Sequence, residues 1–300
     1  MSIVVEKAPR PGPSSSDILV DLAVRALVEE ARLTPKPGLV DLRGPGAHDD
    51  LSLGLMIRSA ESLRSTFNDV ARACEGASVD LGLRETLGSI GRRGEAAMLA
   101  ATGGVNSHRG AIWTLGLLVA GAVLSGGSVG ENRGDSIAAS AARIARFPDA
   151  YGIPRDTNGA RVRGAYGVAG ARGEAQAGFP RVVGVALPVL RAGRRIGRDR
   201  DAVWIDALLG IMAVLDDTCL LHRGGRRGLL LVQRGAARVL RAGGSSVPEG
   251  RRALAQFEDE LLEERLSPGG SADLLCAAMF LDSLERWEGD EVPVGRREDG

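Results

Sequence analysis

Val182-Val183-Gly184-Val185-Ala186-Leu187-Pro188-Val189-Leu190 is the stretch on which the fold class turns. It is apolar, rich in β-branched residues, and the one candidate strand in a chain where strand signals are scarce. Pro188 cannot donate to a sheet ladder, and the stretch lacks period-two alternation, which argues against a central strand. Outward from it the pattern is helical. Ile18, Leu19, Leu22, Ala23, Ala26 and Leu27 recur at helical spacing behind Asp17, a candidate N-cap after a serine run, in a helix ending near Arg32. Similar amphipathic segments run from Leu51 to Cys74, Leu81 to Ala101, Gly110 to Leu124, Ser136 to Arg146, Ala202 to Leu221, Leu229 to Arg241, Arg251 to Arg265 and Ser271 to Trp287. The expected fold is all-α: a single multi-helix domain of about nine to ten helices with Gly-rich functional loops between them.

That domain is expected over residues 17–287, between a disordered tail at 1–16 and a charged tail at 288–300. At 44% apolar residues the chain can bury a large core, and its 38 basic and 38 acidic residues cancel. A neutral chain lacks the positive field of a sequence-independent nucleic-acid binder, so a nucleic-acid partner is not expected. Only Lys7 and Lys36 are lysines; the other basic residues are arginines, read mainly as compositional bias and partly as a demand for oxyanion recognition. Cys74, Cys219 and Cys276 are few and widely spaced, as in a reducing compartment. Residues 1–16 have no apolar core of a secretory signal, and Ala111 to Leu124 falls short of the ~20 residues of a membrane span. The expectation is a cytoplasmic protein with no membrane partner.

The gaps between helices carry the chemistry. Leu33 to Asp49 holds Thr34-Pro35-Lys36-Pro37-Gly38-Leu39-Val40-Asp41 and Gly46-Ala47-His48-Asp49-Asp50. Its prolines forbid helix, and it exceeds the ~12–15 residues beyond which loops are usually functional or disordered. Lys36 between two prolines reads as an ammonium on a rigid stalk, suited to a phosphate contact, or as a surface lysine in a turn. Thr102-Gly103-Gly104-Val105-Asn106-Ser107-His108-Arg109-Gly110-Ala111 gathers Asn106, His108 and Arg109 where a helix begins, either an oxyanion site or a decorated helical hairpin. Glu95 sits near a helix C-terminus against the dipole, so it is solvated or has a cationic partner or a ligand. Pro148 to Gly178 reads as a still longer Gly-rich loop. Arg172 and Glu174 lie either side of Gly173, facing one ligand from a tight turn or forming a surface pair. Asp216-Asp217-Thr218 reads as lying inside a helix, followed by His222-Arg223-Gly224-Gly225; paired acids suggest Mg²⁺ held through water and phosphate oxygens. Ser267-Pro268-Gly269-Gly270-Ser271-Ala272-Asp273 is a turn with Ser271 as the helix cap. Together these elbows point to a helical enzyme or binder of a polyphosphorylated nucleotide.

In order and spacing, Thr34–Asp41, Gly46–His48, Thr102–Ala111, Gly170–Pro180, Asp217–Gly225 and Ser267–Leu275 resemble the motifs of the triphosphoribosyl-dephospho-CoA synthase family, a likeness spanning about Leu22 to Leu284. Arg109, Ser107 and Asp49 depart from the residues usual there. The run from Asp216 to Gly225, with Cys219, looks more like the malonate decarboxylase branch than the citrate lyase branch. The resemblance implies a helical fold and a transferase that joins ATP to 3′-dephospho-CoA. The 2′-hydroxyl of dephospho-CoA attacks the ribosyl C1 of ATP, adenine leaves, and the triphosphate stays on the sugar. The product would pass to a holo-acyl-carrier-protein synthase; a homodimer is allowed and not required.

The roles that follow are Lys36, Asn106, Arg109, Arg172 and Arg223 on phosphates, Glu95 and Asp217 on Mg²⁺, Glu174 as base or oxocarbenium stabiliser, and His108 as proton donor to adenine. Asp41, His48 and Asp273 are second-tier site residues. Other readings of the same elbows are a citrate lyase enzyme of this reaction, a nucleotide N-glycosidase or phosphohydrolase using water, and a non-catalytic partner of an acyl carrier protein.

Overall fold

The computed structural model describes residues 15–126, 133–149 and 157–287. Its helices are α1 (Ser15–Arg32), α2 (Leu53–Ser62), α3 (Arg64–Cys74), α4 (Leu81–Ala101), α5 (Arg109–Leu124), α6 (Arg133–Ala145), α7 (Asn158–Tyr166), α8 (Gly170–Gln176), α9 (Leu187–Arg195), α10 (Arg200–Met212), α11 (Thr218–Arg241), α12 (Pro248–Glu263) and α13 (Gly269–Arg286). A π-helical turn, Val182–Ala186, precedes α9, and no strand occurs among the described residues. The fold is all-α. Ser15 and Ser16 already belong to α1; the rest of the expected N-terminal tail and the tail at 288–300 lie outside the described residues. No described helix is long and apolar enough to cross a membrane.

The helix count exceeds nine to ten for local reasons. Leu51–Cys74 breaks at Leu63 into α2 and α3. The described part of the expected Gly-rich loop at 148–178 contains α7 and α8. Thr157 caps α7, its Oγ1 accepting from the Ala160 N–H at 3.2 Å, and Gly167 ends it with φ +69°. The valine run is helical throughout. In an α-helix the Pro188 ring would meet the carbonyl four residues earlier. The wider π turn, in which the Leu187 N–H reaches the Val182 carbonyl, comes just before it and leaves Pro188 in the tolerant first turn of α9.

One continuous apolar core runs from Ile18 in α1 to Leu284 in α13. Its centre is α5, which is apolar on nearly every side and packs against α1, α3, α4, α6 and α13. The α5 and α6 backbones approach closely because of Gly121: a Cβ there would lie 2.5 Å from the Ile137 carbonyl oxygen. Gly116, in the same helix, would meet nothing within 4 Å. Gly121→Ala should therefore lower the unfolding free energy by about 1–3 kcal/mol, since a backbone carbonyl cannot rotate away. Gly116→Ala should be neutral or stabilising by up to ~1 kcal/mol. Urea unfolding of the two variants checks the pair; equal effects would remove the close-approach explanation.

Candidate active site

The N-terminal ends of α5, α11 and α13 meet at one cavity of about 530 Å³, within the range of small-molecule sites. The cavity has a polar floor of buried Glu30, Lys36, His108 and Asp217 and half-buried Asp273. Around it lies a wall of guanidinium groups, Arg84, Arg109, Arg163, Arg172 and Arg223.

A helix N-terminus offers unpaired N–H groups and a positive dipole, the features that favour a bound phosphate. Here protein carboxylates engage these ends. Asp217 is not inside a helix: α10 stops at Met212, and Asp217 is the N-cap of α11. Its Oδ1 accepts from the Cys219 N–H at 2.9 Å and the Gly270 N–H at 3.3 Å, and its Oδ2 from the Ser271 N–H at 2.9 Å and Oγ at 3.1 Å. One carboxylate thus caps two helices. Ser271 is not the cap of α13 but a donor in its first turn, behind Pro268. Asp273, on α13, faces the Ala111 N–H in the first turn of α5, which favours its charged form. It lies so close to Gly110 that a Cβ there would be 1.9 Å from its Oδ2. Burial, then the charges of Asp217 and Glu30, push the Asp273 carboxyl well above the ordinary range. Burial pushes Asp217 upward too, against the pull of its donors.

Lys36 is not a solvent stalk. It is 1% exposed, and its Nζ pairs with Glu30 Oε1 of α1 at 2.6 Å on the cavity floor. Asp41 does not line the cavity. It accepts from the Lys36 N–H at 3.0 Å and from the Arg43 N–H at 2.7 Å, and pairs with the Arg43 guanidinium, which also binds Glu258. Burial raises its carboxyl, but these bonds outweigh it and hold Asp41 below the ordinary range. Its part is to close the loop that carries Lys36. His48 lines the cavity between Ser267 and Arg223: Nε2 lies 2.8 Å from Ser267 Oγ, and the guanidinium approaches Nδ1 at 3.1 Å. Burial, then the Arg223 charge, lower its pKa, so the neutral ring accepts from Arg223 and orients it.

His108 is 2% exposed. Ser107 Oγ donates to Ser59 Oγ at 2.6 Å, so the Ser59 hydroxyl turns its own proton to His108 Nδ1 at 2.7 Å. The ring proton is then on Nε2, which is buried without a hydrogen-bond partner among the described residues. Burial, then the Lys36 charge, lower the pKa to about 3. The expected role of proton donor is corrected: a neutral imidazole offers a hydrogen bond from Nε2 but holds no imidazolium proton to give at neutral pH.

Glu95 and Asp217 do not form a metal pair. The oxygens of Asp217 are engaged by four donors, while Glu95 is bound to Arg109 and is not among the cavity's lining residues. No cluster of three or more His, Cys, Asp or Glu side chains placed for a metal ion occurs among the described residues. Arg172 and Glu174 share helix α8 rather than a tight turn. Arg172 is exposed; Glu174 is buried, Oε1 accepting from the Arg181 N–H at 2.7 Å and Oε2 from the guanidinium at 3.2 Å. Burial raises its carboxyl against Arg181, but a carboxylate held at both oxygens by one arginine is a poor base. Asn106 lines the cavity and its Oδ1 accepts from the Arg109 N–H at 3.3 Å. Sequence reasoning missed Glu30, Arg84 and Trp113, all lining residues; Asp216, one of the two paired acids, and Arg163 line the cavity too.

Comparison with known proteins shows the family of the chain. Residues 16–292 match the family model described as ATP:dephospho-CoA triphosphoribosyl transferase. The chain belongs to this family. It is 55% identical to a protein of Stutzerimonas stutzeri named probable 2-(5″-triphosphoribosyl)-3′-dephosphocoenzyme-A synthase, over 92% of this chain and 94% of that one. It is 50% identical to a protein of the same name from Azotobacter vinelandii, over 98% and 99% of the two chains. A Klebsiella pneumoniae protein named 2-(5″-triphosphoribosyl)-3′-dephosphocoenzyme-A synthase is 49% identical over 89% and 94%. No solved structure matches. The chain is thus a transferase of this family.

Two measurements test the floor. Lys36→Met leaves Glu30 buried and uncompensated and should cost about 3–5 kcal/mol in urea unfolding, with Glu30→Gln added to it restoring much of the loss. No restoration would mean that the pair is not what Lys36 serves. His108 has a folded pKa below its unfolded one, so its stabilising contribution is complete above pH 6.5 and is lost as pH falls from there toward 3. His108→Gln should flatten the stability profile over that window; an unchanged slope would contradict a neutral buried ring.

Proposed function

We propose that this chain transfers the 5-triphosphoribosyl group of ATP to the 2′-hydroxyl of 3′-dephospho-CoA and releases adenine. The observation that carries this reading is the division of the cavity into a guanidinium wall and a floor where two carboxylates, Asp217 and Asp273, have no cationic partner among the described residues, and only Asp217 is held by converging donors. The wall suits a triphosphate that must be gripped but not broken. Arg109, Arg172, Arg223 and Arg163 hold the phosphates, so that the ribosyl C1, and not a phosphorus, meets the nucleophile. Lys36 serves the triphosphate through the field of the floor, with its ammonium held by Glu30.

Asp273 replaces Glu174 as the carboxylate at the reacting centre. Glu30 is engaged by Lys36, Glu174 by Arg181 and Asp217 by its donors, whereas Asp273 only faces one backbone N–H. In the reaction the C1–N9 bond of ATP breaks and a bond forms from C1 to the 2′-oxygen. The hydroxyl proton passes to Asp273 and from there to water, and the departing adenine takes up one proton from water, so none is gained or lost overall. While C1 is oxocarbenium-like, the same carboxylate faces its positive charge. His108 Nε2–H supplies a neutral hydrogen bond to a ring nitrogen of the leaving base.

Magnesium belongs to this reading as the counterion of ATP, where it neutralises the triphosphate. Asp216, an exposed carboxylate on the cavity rim, suits a contact with its bound water. The run from Asp216 to Gly225 supports malonate decarboxylase as the destination, the product passing to a holo-acyl-carrier-protein synthase in the cytoplasm.

Incubation with ATP, Mg²⁺ and 3′-dephospho-CoA should yield free adenine and a triphosphoribosyl adduct by mass spectrometry, in equal amounts. Adenine without the adduct would mean that water is the nucleophile; neither product from folded protein would sink the reading. Asp273→Asn keeps an acceptor for the Ala111 N–H and should lower kcat by about 10²–10⁴ while ATP still binds. Glu174→Gln should leave more activity than Asp273→Asn, and the reverse order would return the catalytic role to Glu174.

A further inference from the structure

The phosphate wall and the carboxylate floor leave one part of an adenine nucleotide without a surface to lie on, the face of the base. We propose that Trp113 is the platform on which an adenine ring stacks in this cavity. Trp113 lies on α5 one turn beyond Arg109 and three residues beyond Gly110, and these residues all line the cavity. It is the one Phe, Tyr or Trp side chain among the described lining residues.

Its ring is fixed before any ligand arrives. The indole Nε1–H donates to the Ala171 carbonyl at 3.3 Å, tying the edge of the ring to α8. The guanidinium of Arg84 lies over the ring, 4.9 Å from its centroid. Arg84 is itself buried, shares Asp149 with Arg92, and leaves its Nε without a hydrogen-bond partner among the described residues. A cation in that position has little water, and the negative face of the indole compensates it. With Arg84 over one face, a base stacking on the other completes an Arg–Trp–purine sandwich. Stacking of this kind is tolerant of ring identity and worth about a 5- to 150-fold change in affinity per base. One helical turn separates Trp113 from Gly110, where Asp273 packs. A base on Trp113 would therefore put its N-glycosidic bond within reach of that carboxylate.

The proposal rests on the reading of the cavity as an adenine-nucleotide site. Both ATP and 3′-dephospho-CoA carry adenine, and the experiment separates them. Dissociation constants of ATP, 3′-dephospho-CoA and inorganic tripolyphosphate are measured by calorimetry for the full chain, Trp113→Phe and Trp113→Leu. The expected result is a loss of about 5- to 150-fold for one adenine nucleotide in Trp113→Leu, largely recovered in Trp113→Phe, with tripolyphosphate unchanged. The nucleotide that loses affinity is the one whose base stacks. Unchanged nucleotide affinities in the variants, or an equal loss for tripolyphosphate, would overturn it. Should Trp113→Leu fail to fold, indole fluorescence decides. Quenching by the adenine nucleotide that is absent with tripolyphosphate and lost in Trp113→Phe supports the stack, and its absence on saturated protein overturns it. These readouts report binding, so a chain that stacks adenine but does not turn over would sink the proposed reaction and leave the platform standing.

Discussion

The carboxylate of Asp217 joins three things that the site needs: the start of α11, the start of α13 and the cavity between them. Four donors converge on it, three of them backbone N–H groups, of which those of Cys219 and Gly270 would otherwise be unpaired at helix ends. Removing it would leave those donors buried and unsatisfied, at roughly 1–3 kcal/mol each. It would also free α13 from α11, and with α13 goes Asp273. The geometry of the floor therefore descends from a cap rather than from a ligand-binding loop.

This arrangement explains why the phosphate contacts are expected on the wall. Three positive helix ends point at a cavity read as a polyphosphate site, and the simplest expectation is that they bind it directly. With Asp217 engaging two of them and Asp273 the third, a triphosphate placed on these ends would meet carboxylates first. The polyphosphate is better met by side chains that arrive from elsewhere. Arg163 comes from α7 and Arg172 from α8, around a floor that carries three carboxylates. The separation suits glycosyl transfer: positive charge gathers on the sugar carbon during the reaction, and carboxylates belong near that carbon, not near the phosphates.

Local signals in the sequence carried the fold further than the site. The apolar spacing of Ile18 to Leu27, and the nearly uninterrupted apolar run of α5, define helices that need no knowledge of their neighbours. Pro188 was enough to reject a strand, though not to foresee the π turn before it. Glycines hid α7 and α8, because seven of them between Pro148 and Gly178 weaken the helical pattern while Thr157 and Gly167 still cap it. In the site, the elbows at Lys36, Asn106–Arg109, Asp217–Arg223 and Asp273 do meet at one cavity. What the sequence withheld is which charge faces which. Glu30 lies six residues before Lys36, yet only a chain reversed through Pro35 and Pro37 brings them to 2.6 Å. Arg84 reads as a solvated position on an amphipathic helix until Trp113 is packed beneath it.

The same pairing decides which carboxylate can act. Basicity in a buried site depends less on residue type than on how much of the negative charge is already matched. Glu174 looked suitable in sequence because Arg172 stood beside it across a glycine, but helix α8 turns the glutamate inward to Arg181 and leaves Arg172 exposed. Asp273 looked secondary because it follows a turn and caps nothing in its own helix. Gly110 changes that, since only a residue without a Cβ lets this carboxylate reach the first turn of α5. The pair Gly110 and Asp273 belongs to two motifs about 160 residues apart, and neither has a catalytic signature alone. Their contact places a lightly engaged carboxylate where three helices begin, and that is the feature on which the proposed chemistry depends.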